Sequence, residues 1–191
     1  MGCTDGISKA IVSDCTTQGS GGLEVTAYLF NRADVTITYD VTLGNKITSM
    51  ANAVTKQGYK LTGVKKLLNA GHDVVVADDR PDKYTHYFNF QQFELDAEDV
   101  ENVDNLNDLI VVVEGKDKSD DGDGVFFAYG VKKGLWKSTD TQRANDINGA
   151  RNIELVSLAG QEEIYSKFIV LDTDYATTLA LLEDLVTNPG V

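Results

Sequence analysis

Between Val35 and Leu43 the chain reads VTITYDVTL, and this alternation constrains the fold more than any other feature. Side chains on an extended strand point to opposite faces with a period of two. Val35, Ile37, Tyr39, Val41 and Leu43 therefore share one face, and Thr36, Thr38, Asp40 and Thr42 the other. A helix would scatter the same apolar residues around its circumference. The segment is a strand with one face to bury.

Further segments repeat the signal. Leu23–Phe30 is apolar on both faces, and Asn31–Asp34 suits a turn that joins it to Val35–Leu43 as a hairpin. Tyr84–Leu95 (YTHYFNFQQFEL) is an aromatic strand with His86, Phe88 and Phe90 on one face and Tyr87 and Phe93 on the other. Leu109–Val113 (LIVVV) reads as a central strand, followed by a polar hairpin loop over Lys116–Gly124 and a return over Val125–Tyr129. Gly134–Ser138, Asn152–Leu158 and Phe168–Leu171 read as more strands, and Ser138–Gly149 as a polar connection.

Residues 44–83 admit two readings. Ile47, Met50, Ala51 and Val54 fit helical spacing, while Ser49, Ala51, Ala53 and Thr55 fit a strand. A short helix ending at Gly71 is one reading of Gly63–Gly71, and Val74–Val76 reads as a short buried strand. Two helices carry clearer start signals. Asp96 caps one over about 97–107, with Val100, Val103 and Leu106 as its buried stripe. Thr173 or Asp174 starts the other, which buries Tyr175, Leu179, Leu182 and Val186 and stops at Asn188-Pro189-Gly190. The expected fold class is α+β, mainly β: an antiparallel β-sandwich or barrel with one external helix and a C-terminal helix.

The 191 residues suit one domain, over 23–191. Residues 1–22 read as an N-terminal arm ending in Gln18-Gly19-Ser20-Gly21-Gly22 and ordered only against something else. Its apolar Ile7, Ile11 and Val12, with Tyr87 and Phe93 on the second face of the aromatic strand, form the candidate assembly interface. No apolar run approaches the roughly 18 residues of a membrane span. Met1-Gly2-Cys3 resembles a myristoylation start, but Gly6 stands where that motif needs Ser or Thr.

Charge excludes one class of partner. Residues 1–85 hold nine basic and nine acidic side chains, while residues 86–191 hold eight basic against twenty-one acidic, so the net −13 lies wholly in the second half. Gripping nucleic acid through its phosphates needs the opposite sign. Candidate chemistry is thin. In the loop DKSDDGDG, Asp117, Ser119, Asp121 and Gly122 hold four positions of a calcium-binding loop, but the closing bidentate position falls on Ala128, which cannot coordinate. Cys3 and Cys15 are far from His72 and His86, which leaves no zinc ligand set. His86 reads as a packed residue, and the acid pairs Glu98/Asp99, Asp120/Asp121 and Glu162/Glu163 as solvated. No nucleophile, phosphate-binding or dinucleotide motif occurs. The expectation is a protein that is not an enzyme, with no metal and no cofactor.

The order and texture of residues 20–158 resemble phage tail tube proteins and related ring-forming virion structural subunits. The resemblance runs through the glycine-rich arm, LEVTAYLFNRADVTITYDVTL, HYFNFQQFEL, AEDVENVDNLN, LIVVVEGK and YGVKKGLW. Thr139–Gly149 and the C-terminal helix fall outside the pattern. The resemblance implies a subunit of a tail tube or connector ring, found in the virion and in the host cytoplasm during assembly. It implies homo-oligomeric rings, hexameric in such families, that contact other virion proteins while DNA passes without being bound. Head-to-tail contact between identical subunits closes into rings or propagates as filaments. A neck or capsid decoration protein and a β-sandwich hydrolase are the alternative readings.

Overall fold

Apolar side chains at every second position organise most of the chain into strands. The computed structural model describes residues 22–63, 67–78, 81–93, 96–117, 122–145 and 149–190. The strands are β1 (Leu23–Asn31), β2 (Val35–Tyr39), β3 (Lys46–Asn52), β4 (Tyr59–Thr62), β5 (Asn69–Val75), β6 (Lys83–Gln92), β7 (Leu109–Gly115), β8 (Phe126–Tyr129), β9 (Trp136–Gln142), β10 (Arg151–Val156) and β11 (Phe168–Val170). Helix α1 (Ala97–Asp104) precedes β7, and α2 (Tyr175–Thr187) follows β11. The fold is α+β and mainly β, with two packed sheets.

The larger sheet has seven strands in the order β2-β3-β11-β8-β7-β1-β4, and the smaller has four in the order β5-β6-β10-β9. Neighbours pair antiparallel except β3 with β11, which run parallel. β7 is buried along its whole length because both its faces are covered. Leu109, Val111 and Val113 join Ala27 and Leu29 of β1 against Phe88, Phe90, Ile153 and Leu155 of the smaller sheet. Ile110 and Val112 turn the other way, into a cluster with Tyr28, Phe30, Ile47, Phe126, Phe168, Leu182 and Leu185. The larger sheet thus lies between the smaller sheet and α2.

The expected hairpin of β1 and β2 does not form. Both strands exist, but β1 pairs with β7 and β4, and β2 pairs only with β3. A 3-10 turn at Arg32–Asp34 leads between them. In a flat sheet their five-strand offset would be about 24 Å, whereas the four steps from Asn31 to Val35 reach about 14 Å at most. The sheet must therefore curl, and α2 fills its concave side. The segment after β3 holds the far end of that helix. Gly58 N–H donates to Leu185 C=O at 2.8 Å, Thr55 N–H to Gly190 C=O at 2.7 Å, and the Asn52 side chain to Leu185 C=O at 2.7 Å.

Other expectations need correction. β2 stops at Tyr39 because Asp40 Oδ1 accepts the Thr42 and Leu43 N–H groups and turns the chain, which leaves Val41 and Leu43 exposed. The helix-like spacing of Ile47 and Met50 comes from a register shift in β3: Thr38 faces Ser49, but Tyr39 faces Ile47. An irregularity of this kind brings residues three apart onto one face of a strand. No helix ends at Gly71; it lies inside β5 opposite Tyr87, where a Cβ would collide with the tyrosine hydroxyl. Val74 and Val76 are exposed, not buried, because β5 is an edge strand. The supposed connection after Ser138 continues β9 to Gln142.

Both helix starts are as expected. Asp96 Oδ1 accepts Asp99 N–H at 2.8 Å, and Val103 is the buried residue of α1. Asp174 caps α2 in a reciprocal capping box with Thr177. Thr178, Leu182 and Leu185 are its fully buried positions, with Tyr175, Leu179 and Val186 packed beside them.

Candidate interaction face

β6 and β10 lie side by side in the middle of the smaller sheet, and each alternates between two chemistries. Inward go His86, Phe88 and Phe90 of β6 and Ile153 and Leu155 of β10, all buried. Outward go Tyr87, Asn89 and Gln91, opposite Val156, Glu154 and Asn152 respectively. β9 extends these rows with Trp136 beside Val156, Thr139 beside Glu154 and Thr141 beside Asn152. The outer face therefore carries an apolar row, Tyr87–Val156–Trp136, next to two polar ones.

The polar rows border a cavity of about 220 Å³ lined by Leu67, Asn89, Gln91, Thr139, Asn152 and Glu154, with Phe90 and Ile153 at its base. Glu154 is held in place: its Oε2 accepts the Ser138 and Thr139 hydroxyls, each at 3.0 Å. Asn89 Oδ1 and Trp136 Nε1 are shielded from solvent and have no hydrogen-bond partner. Buried polar atoms are ordinarily satisfied; Asn52 Oδ1, Gln92 Oε1 and Glu163 Oε2 are in the same state elsewhere in the molecule.

Tyr87 and Phe93 sit at opposite ends of this face. Tyr87 is half-buried over Gly71, and Phe93, just past the end of β6, is 44% exposed. Six residue steps separate them, about 20 Å, with Asn89 and Gln91 between. Ile7, Ile11 and Val12 lie outside the described residues, as do Cys3 and Cys15.

The ionisable groups on the inner side are committed to structure. His86 is fully buried, accepts Gly130 N–H at Nδ1 (3.1 Å) and donates from Nε2 to Tyr165 C=O at 2.8 Å. That pattern fixes the neutral tautomer, and burial pushes its pKa down to about 4. Glu163 is also fully buried. Its Oε1 accepts the Lys132 and Lys133 N–H groups at 2.8 Å, Oε2 has no partner, and burial raises its pKa. Arg151 pairs with Asp140 and Asp104, each at 2.5 Å, and the Arg151 hydrogen bond chiefly holds the Asp140 carboxyl below the usual range. His72 is exposed, edge-on to the Tyr84 ring.

No protein-family model, no curated protein and no solved structure matches this chain. Among the described residues, no three His, Cys, Asp or Glu side chains group as metal ligands. In the loop read against a calcium site, residues 118–121 lie outside the described residues, and Ala128 at its closing position is buried in β8. Among the described residues no helix is long and apolar enough to cross a membrane.

The outer polar rows are functional candidates that sequence reading passed over. Their signal was present: Asn89 and Gln91 alternate with Phe88 and Phe90, as Asn152 and Glu154 alternate with Ile153 and Leu155. What the sequence could not supply is the register that sets them opposite one another.

Proposed function

We propose that the chain is a structural subunit that assembles with copies of itself, as part of a viral (phage) tail tube or connector ring around a DNA channel, and that it is not an enzyme. The observation that carries this reading is the outer edge of β5, which no described strand pairs. Its seven residues contain no lysine and no proline, and Val74 (53%) and Val76 (72%) at its end are exposed. Natural sheets usually guard their edges with lysine, proline or a covering loop, because an open row of N–H and C=O groups pairs with another chain. An edge strand without lysine or proline fits a subunit whose edge is occupied in the assembly.

Two further features support it. Val41 and Leu43, fully and half exposed on the β2–β3 turn, offer a second contact point away from β5. A body with two distinct contact points joins head to tail, and such contacts close or propagate. The acids Asp96, Glu98 and Glu101 on and before α1 are exposed, and the net charge of −13 repels phosphate and disfavours DNA binding.

Sedimentation and negative-stain microscopy of the purified chain at rising concentration test the reading. Rings or tubes are the expected outcome, and Val74→Lys should abolish them without lowering the melting temperature. A particle that stays monomeric in every condition, including mixtures with other virion proteins, would sink it. Tight binding to DNA at low salt in a mobility-shift experiment would refute the channel role.

A further inference from the structure

We propose that the outer face of the four-stranded sheet binds a neutral carbohydrate, with Asn89, Gln91, Asn152 and Glu154 hydrogen-bonding its hydroxyls beside the apolar row Tyr87–Val156–Trp136. This goes beyond the assembly role, which rests on the β5 edge; the binding face is centred on the two inner strands of the sheet.

The ligand class follows from what the face offers and what it lacks. Asn89 stands opposite Glu154, and Gln91 opposite Asn152. Directly opposed positions on paired strands lie about 5 Å apart, and successive outward positions on one strand about 7 Å. Four planar heads therefore surround a small patch. Each amide presents a donor and an acceptor in one plane, and the carboxylate two acceptors. Neighbouring ring hydroxyls, each both donor and acceptor, complement that arrangement. Among the described residues that line the cavity there is no lysine, arginine or histidine, and a phosphate or sulfate there would meet the carboxylate of Glu154.

The unfilled hydrogen-bonding capacity points the same way. Asn89 Oδ1 is shielded and has no donor. Leaving such a group unpaired costs about 1–3 kcal/mol, and a turn of the amide towards the cavity would let a ligand hydroxyl supply the donor. Ser138 and Thr139 occupy Oε2 of Glu154 and fix its orientation, which leaves Oε1 to accept. The apolar row provides what the C–H face of a sugar ring packs against, an aromatic surface with a polar handle. Trp136 Nε1, shielded and unpaired, is a donor without an acceptor. The cavity of about 220 Å³ is below the size of drug-binding pockets and suits a single ring. These side chains rise from the middle of hydrogen-bonded strands, so binding orders little that is not already ordered.

Trp136 is the only tryptophan of the chain, so its emission reports this face alone. The full chain would be titrated with neutral oligosaccharides of glucose, galactose, mannose and N-acetylglucosamine, with inorganic phosphate and a sulfated oligosaccharide as anionic arms. A saturable change with at least one neutral sugar is expected, weakened tenfold or more by Asn152→Ala and by Gln91→Ala at unchanged melting temperature. Glu154→Gln serves as a second variant should either fail to fold. Val74→Lys, on the assembly edge, should leave sugar binding intact, so the two proposals fail separately. No saturable response to any neutral sugar, a response confined to the anionic arms, or binding indifferent to the face variants would each overturn the proposal.

Discussion

The two sides of the seven-stranded sheet are filled by different means. On the concave side one helix meets inward side chains from six strands, and Thr178 and Glu114 are buried with it. There Tyr28 donates to Glu183 at 2.7 Å, Lys60 pairs with the same carboxylate at 2.5 Å, and the Tyr175 hydroxyl donates to Glu114 at 2.8 Å. On the convex side a second sheet packs, and ionisable groups go in with it: His86 and Glu163 are fully buried and Arg151 nearly so. His86 and Glu163 fasten one element between them, the β8–β9 turn, through Gly130, Lys132 and Lys133. A purely apolar interior stabilises through area and packing. A polar one fixes particular segments, and its contribution varies with pH.

The contrast can be tested, beginning where the effect is largest. Leu182→Ala, at the centre of the concave core, should cost about 4 kcal/mol in urea denaturation, with a loss that is the same at neutral and mildly acidic pH. A pH-dependent loss would show that the helix side is not electrostatically inert.

The second test is pH itself. His86 has a folded pKa of about 4 against an ordinary 6.5, so between these values the unfolded chain binds more protons. Stability should be full above pH 6.5, fall as the pH drops towards 4, and lose at most about 3 kcal/mol from this group. His86→Gln should flatten that part of the curve, whatever it does to the absolute value. If the slope persists, the acid sensitivity lies elsewhere.

Arg151→Ala comes next. It leaves Asp140 and Asp104 facing each other without their shared cation. Breaking a buried pair costs several kcal/mol, but Asp104 is half exposed, so about 2 kcal/mol is expected in thermal unfolding, with recovery by Arg151→Lys incomplete because the two-pronged geometry is lost. The smallest effect has the opposite sign. Glu163 carries a raised pKa, so its ionisation weakens the fold as the pH rises past the usual carboxylate range. Glu163→Gln keeps an acceptor for the two backbone N–H groups and should stabilise the protein at pH 8 by up to about 1 kcal/mol. A clear loss of stability there would show that the charge is needed to hold the turn.

The concave side was also the more legible in the sequence, for a physical reason. Strand alternation at Val35–Tyr39, the capping residue Asp174 and the apolar stripe of α2 are local signals, and local signals survive in a one-dimensional reading. What failed was pairing and polarity. β1 and β2 look like a hairpin because nothing within them records that the sheet curls, that β1 pairs with the distant β7 and β4, and that β2 pairs with the next strand, β3. The start of β9 was legible as a strand, but its continuation looks like a loop because an exposed edge strand buries almost nothing, so Ser138–Gln142 carries no apolar rhythm. The candidate binding face was half legible: its residues were visible as the polar alternates of two strands, but their opposition across β6 and β10 exists only in the register.

The place of β11 has a consequence for how the molecule forms. Three residues, Phe168–Val170, join β3 to β8 and thereby unite the two halves of the larger sheet. Until they dock, β2-β3 and β8-β7-β1-β4 are separate ribbons with open inner borders, and the hollow that receives α2 does not exist. Closing the sheet requires β3 to meet a strand more than a hundred residues further along the chain. Such long loops must be closed before any contact rewards them, which makes folding slow and leaves the half-formed sheet prone to pairing with other chains. Refolding should therefore show a late phase in which helix signal and protection of the β3 and β8 amides appear together.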